Sequence, residues 1–146
     1  MGEFRKLSDT FYASPQVSPQ DISEAAAMGM ALVVNNRPDG EAADQPEGAA
    51  IEAATRAAGM DYLAIPIGSA GFSEPQVERL QDALASAQGP VLGFCRSGTR
   101  STLLWSLAQA RSGGDPDAIA EAAASVGYDV SSVRPAMDMF AARAAE

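Results

Sequence analysis

The chain has 146 residues, 47% of them hydrophobic, and carries a net charge of −9 with a single cysteine and no histidine. That length suits one globular domain with an adequate core, and the acidic balance argues against nucleic acid and acidic membrane surfaces as partners. One cysteine excludes an internal disulfide framework and suits a reducing cytoplasm, while the lack of histidine removes Ser-His-Asp and Cys-His mechanisms and most zinc sites.

No stretch is apolar for long enough to span a membrane, and no hydrophobic segment follows Met1–Lys6 to serve as a secretory signal. Lys6 stands where a myristoylation signal requires Ser or Thr. No metal or other cofactor is expected, so any chemistry has to run on cysteine, carboxylates, arginine or lysine.

Phe11-Tyr12-Ala13-Ser14 reads as a short strand stopped by Pro15. Ser18-Pro19-Gln20-Asp21 supplies an N-cap, a proline at the first helical position and an acid in the first turn, opening a helix that carries Ile22, Ala25, Ala26 and Met28 up to Gly29. Ala31-Leu32-Val33-Val34-Asn35 is apolar and β-branched, the pattern of a strand buried on both faces. Asn36 to Pro46 is a loop by its Pro, Gly, Asn and Asp content, and Glu47 to Ala58 is an alanine-rich helix closed by Gly59.

Tyr62 to Ile67 forms the next strand, and Pro66 marks its end or an edge position. After Gly68–Phe72, Ser73-Glu74-Pro75-Gln76 has capping-box form, and Val77, Leu80, Leu84 and Ala87 line one helical face. Pro90 to Phe94 is a buried strand ending at Cys95, and a helix is expected from Ser101, with Leu103, Leu104, Leu107 and Ala108 facing a core up to Gly113-Gly114. Two further helices follow, one capped by Asp115-Pro116 with Ile119 and Ala123, and one from about Ser132 with Val133, Met137 and Phe140. Alternating strands and helices imply an α/β fold, one domain over 1–146, with a mainly parallel sheet covered on both faces; ligands of such sheets bind beyond the C-terminal strand ends.

Cys95 occupies such an end, between a strand and a helix, in the stretch Cys95-Arg96-Ser97-Gly98-Thr99-Arg100-Ser101. A helix N-terminus and adjacent cations favour thiolate over thiol, and the same amides and guanidinium groups bind an oxyanion. Cys95 is therefore the candidate nucleophile and Arg100 its partner, with Arg96, Ser97, Gly98, Thr99 and Ser101 as anion-binding positions. Gly98 lets the backbone curl where a Cβ would intrude, and Ser101 is a candidate donor to the thiolate. Arg37 is either a third positive contact at the pocket rim or a partner of Asp39 or Glu41 in the same loop.

The Cys95–Ser101 segment resembles the active loop of rhodanese-type sulfurtransferases, in which four residues follow the cysteine before a basic or small residue. Asp9–Val17, Val34–Glu41 with its Asn-Arg-Pro-Asp core, Gln45-Pro46, Ala58–Tyr62 and Ile65–Ile67 resemble the phosphatase-like domain of bacterial beta-lactamase hydrolase-like proteins. That resemblance covers nearly the whole chain and implies a dual-specificity tyrosine-phosphatase-like fold, in a family also labelled sulfurtransferase. Phosphatases of this type carry His-Cys, five residues and Arg, whereas Phe94 precedes Cys95 here and only four residues separate it from Arg100. The shorter loop favours a single sulfur atom or a small head group. The stretch where the resemblance places an aspartate general acid, Ile65 to Phe72, has no acid, leaving Asp39 or Glu41 as substitutes or as plain loop charges and caps.

Sulfur transfer is accordingly the first expectation. Cys95 takes sulfur from a small anion such as thiosulfate, becomes a persulfide and passes it to a thiol acceptor, while Arg96 and Arg100 hold the donor. The alternatives are a cysteine phosphatase acting through phosphocysteine on a phosphate ester, and a non-catalytic anion-binding module.

Overall fold

The computed structural model describes residues 2–146. Its five strands are β1 (Arg5–Ser8), β2 (Phe11–Ser14), β3 (Leu32–Asn35), β4 (Asp61–Ala64) and β5 (Val91–Phe94), in the sheet order β1-β2-β5-β3-β4. The pairs β2–β5, β3–β5 and β3–β4 are parallel, and only β1 runs antiparallel to its neighbour β2. The helices are α1 (Pro19–Ala27), α2 (Gly48–Ala57), α3 (Glu74–Ser86), α4 (Thr99–Arg111), α5 (Pro116–Ser125) and α6 (Arg134–Ala144), with a 3-10 turn at Ser131–Val133. None of these helices is long and apolar enough to cross a membrane.

Side-chain alternation divides the core into two layers. Val33, Leu92 and Phe94 point to the face covered by Ile22 and Ala25 of α1 and Ile51 of α2. Phe11, Ala13, Leu32, Val34 and Val91 point to the other face, covered by α3 to α6. The expected fold class is present. α4 is the innermost helix: nine of its residues from Ser101 to Ala110 are buried, Leu104 and Trp105 among them. Gly93 allows this close packing, because a Cβ there would lie 2.6 Å from the ring of Phe11, which stacks against Trp105 at 6.1 Å.

The local capping signals operate as read. Ser18 Oγ accepts from Asp21 N, and Asp21 in turn accepts from Ser18 N. Gln76 Oε1 accepts from Ser73 N at 2.9 Å. One strand was not expected from the sequence, and one helix starts earlier than expected. Arg5–Ser8 forms a strand although its alternation is obscured by charge, because only Leu7 of its side chains reaches the core. Helix α4 begins at Thr99 rather than Ser101, because Gly98 adopts φ +92°, a left-handed conformation that turns the chain directly into the helix.

Candidate active site

Strand β5 lies between β2 and β3, so the residue after it sits at the middle of the sheet's C-terminal edge. That residue is Cys95, whose N–H donates to Ser14 O of β2, while Asn36 N of the β3 exit donates to Phe94 O. Backbone from both neighbouring strands thus pins the base of the cysteine loop. Cys95 is fully buried and is a free thiol.

The loop from Cys95 to Gly98 folds back on its own sulfur. Gly98 N donates to Cys95 Sγ at 3.1 Å, placing a backbone dipole on the sulfur. Of the amides expected around the sulfur, Gly98 makes the contact, whereas Thr99 N is directed to Ser97 Oγ at 3.4 Å. Ser97 Oγ donates to Thr99 Oγ1, stiffening the turn, and Arg96 is exposed. Ser101 does not serve the sulfur. Its hydroxyl is buried and donates to Asn36 Oδ1 at 2.7 Å, so its only proton is committed there. Asn36 Nδ2 reaches Ile65 O, which makes this side chain a brace between the β3 exit, the β4 exit and α4.

Arg100 lies in the first turn of α4 and is held by an element 59 residues away. Its Nη1 donates to Glu41 Oε2 at 2.7 Å and to Ile67 O at 2.8 Å, and its Nη2 donates to Glu41 Oε1 at 2.9 Å. A guanidinium has five N–H donors. Three are taken here, which leaves Nε–H and one Nη2–H. Those two share a single side of the planar group and form a two-donor fork suited to an oxyanion. Cys95 lies close enough that its charge contributes to raising the Arg100 pKa, after the larger effect of the Glu41 hydrogen bond.

Glu41 is in turn backed by Arg37, whose Nε donates to Oε1 at 3.1 Å. Arg37 is buried and its Nη1 reaches Gln16 Oε1. It therefore stands behind Glu41 rather than at a rim over the cysteine. Asp39 is likewise removed from the cysteine loop, accepting from Gly48 N at the start of α2. Hydrogen bonding from Arg100, followed by that from Arg37, holds the Glu41 carboxyl down at about 2 against the opposing effect of burial. At neutral pH it is an anion without a proton to give, which removes it as a general acid.

The sign of that shift fixes a pH dependence. A carboxylate with a lowered folded-state pKa stabilises the fold above its ordinary value of 4.5, and the contribution disappears as pH falls towards 2. Glu41→Gln should therefore cost stability at pH 7 and progressively less below 4.5, measured as a converging pair of denaturation midpoints.

A cleft of about 380 Å³ is lined by Asn35, Arg37, Asp39, Glu52, Tyr62 and Pro66, among others, but by none of residues 95–101. Its polar wall is organised by Asn35 Nδ2, which donates to Tyr62 Oη at 3.0 Å. Burial first, and then the charges of Glu52 and Asp39, raise the Tyr62 pKa.

Sequence reasoning named Cys95, Arg100 and Gly98, and the structure brings these together. It did not single out Asn36 as a site residue, nor Tyr128, whose hydroxyl donates to Ser97 O at 3.0 Å. For Asn36 the signal was the Asn-Asn-Arg-Pro block itself; Tyr128 had none.

Residues 3–112 match the family described as beta-lactamase hydrolase-like protein, phosphatase-like domain. A beta-lactamase hydrolase-like protein of Agrobacterium fabrum is 36% identical over 104 residues, covering 71% of this chain and 24% of the relative. The chain thus spans about a quarter of the length of the curated relatives it matches. A candidate phosphatase from Neisseria meningitidis superposes with a TM-score of 0.80 at 32% identity, covering 92% of this chain and 96% of that one. The P. aeruginosa protein TpbA in complex with phosphotyrosine shares the fold at a TM-score of 0.68 and 20% identity, with 98% and 90% coverage.

Proposed function

The chain belongs to the beta-lactamase hydrolase-like family of phosphatase-like domains, and we propose that it is a cysteine-dependent phosphatase acting on phosphate monoesters through a phosphocysteine at Cys95. The observation that carries this reading is a sulfur receiving the Gly98 amide at 3.1 Å beside a guanidinium with three donors fixed and one fork left open. Phosphatase-like relatives and structural neighbours support it over sulfur transfer.

In the first step the Cys95 thiolate attacks phosphorus, an S–P bond forms, and the P–O bond to the leaving group breaks with the electron pair going to oxygen. Arg100 holds two equatorial oxygens through Nε and Nη2. Water then attacks phosphorus, the S–P bond breaks and the thiolate is restored with release of phosphate. Because Glu41 is ionised and residues 65–72 carry no acid, the departing oxygen takes its proton from water. A positioned general acid is worth about 10²–10⁴-fold, so good leaving groups such as phenols or acyl groups are favoured.

The four-residue spacing and the missing acid also support a second reading, sulfur transfer. There Cys95 attacks the outer sulfur of thiosulfate, the S–S bond breaks, sulfite leaves with the electron pair, and the persulfide sulfur passes to a thiol acceptor. Mass spectrometry of the acid-quenched protein separates the two. The phosphatase reading expects one phosphoryl group on Cys95 during turnover of p-nitrophenyl phosphate. A gain of one sulfur from thiosulfate, with no phosphoryl adduct and no phosphate release, would overturn it.

A further inference from the structure

The peptide unit between Ser97 and Gly98 is gripped at both ends. Its N–H donates to Cys95 Sγ at 3.1 Å, and its carbonyl oxygen accepts from Tyr128 Oη at 3.0 Å. A peptide unit is planar, so fixing the oxygen also fixes the direction of the N–H. A hydrogen bond accepted at the oxygen further polarises the N–H, strengthening what it donates. Gly98 is shaped for this contact as well as for its turn, because a Cβ at that position would collide with Tyr128 Oη.

Tyr128 is itself held from several directions. Its N–H donates to Ala123 O at 2.9 Å, which folds the chain back after Gly127 at the end of α5. The Arg5 guanidinium covers its ring at 4.9 Å and ties to Val126 O at 3.2 Å, joining β1 to the same corner. The side chain is buried, and burial raises the phenol pKa, keeping the hydroxyl a donor throughout the neutral range.

We infer that Tyr128 is a positioning residue for the nucleophile: through the Ser97–Gly98 peptide it aims and polarises the amide that stabilises negative charge on Cys95. This rests on the reading of Cys95 as a nucleophile. It also gives α5 and the segment after it a part in the chemistry, although both lie beyond residues 3–112, where the family match ends.

The test is the pH profile of Cys95 alkylation by iodoacetamide, followed by mass spectrometry in the whole chain. Tyr128→Phe keeps the ring under Arg5 and removes only the hydroxyl. Its alkaline rise in alkylation should move to higher pH by roughly half a unit to one unit, the scale of losing one hydrogen bond's worth of thiolate stabilisation. Folding loss alone would not move this profile in a variant that melts like the wild type. If Tyr128→Phe does not fold, 3-fluorotyrosine at 128, a stronger donor of similar size, should move the rise to lower pH while its phenol is still protonated. A profile unchanged from the wild type in the substitution that folds overturns the inference. A wild-type profile that superimposes on that of the denatured chain would overturn the nucleophile reading itself, an outcome distinguishable from the first.

Discussion

Cys95→Ser should abolish phosphate-ester turnover, lowering kcat by about 10⁴-fold or more, and should eliminate the covalent adduct. The loss has two parts. A hydroxyl is a far weaker nucleophile than a thiolate, and nothing nearby is placed to deprotonate it. The chain has no histidine, and Glu41 is engaged by both Arg100 and Arg37. The substitution is close to isosteric, so the Gly98 amide still finds an acceptor and the loop should hold its shape. Phosphate or vanadate should therefore still bind the variant, as measured by calorimetry. Retention of more than a tenth of the wild-type rate would mean that the reacting group lies elsewhere.

Arg100→Lys should lower kcat/KM for an aryl phosphate by about 10²–10³-fold, although the charge is kept. The reason is the allocation of donors. Glu41 and Ile67 O consume three N–H groups of the guanidinium, and the remaining two form the fork that the phosphatase proposal assigns to the substrate. A lysine ammonium has three donors on one atom and cannot hold Glu41 end-on while presenting a planar pair to phosphate. Steady-state kinetics check this. Near-normal activity in the lysine variant would show that a point charge suffices and that the fork has no role.

The buried strands were legible because continuous apolar runs such as Leu32–Asn35 and Val91–Phe94 have few other uses. Helix starts at Ser18 and Ser73 were legible because capping is a local interaction over three residues. β1 was hidden because it is an edge strand with Arg5 and Lys6 on it, and its pairing with β2 is a tertiary fact. The cysteine loop could be recognised because its cysteine, glycine and arginine lie within six residues of the chain, Cys95 to Arg100. The groups that aim it could not. Glu41 meets Arg100 across 59 residues, and Tyr128 meets Ser97 across 31. Nothing in the spacing of those residues distinguishes such contacts from solvated charges or an ordinary core tyrosine. Ser101 and Arg37 show the reverse case, since residue types suited to an anion are here satisfied by Asn36, Glu41 and Gln16.

The hydrophobic layer over α4 bears on where this unit can be divided. Ile119, Ala123, Tyr128, Val130, Met137 and Phe140 share one continuous core with Leu103, Leu104, Trp105 and Leu107. A fragment cut after Arg111 would preserve every strand, the cysteine and its arginine. It would also strip the outer side of α4 to water, exposing side chains that an isolated helix face cannot leave bare without aggregating. The smallest autonomous folding unit is therefore longer than the segment that carries the sequence signature, and the last two helices are the part of it that a signature-based excision would discard.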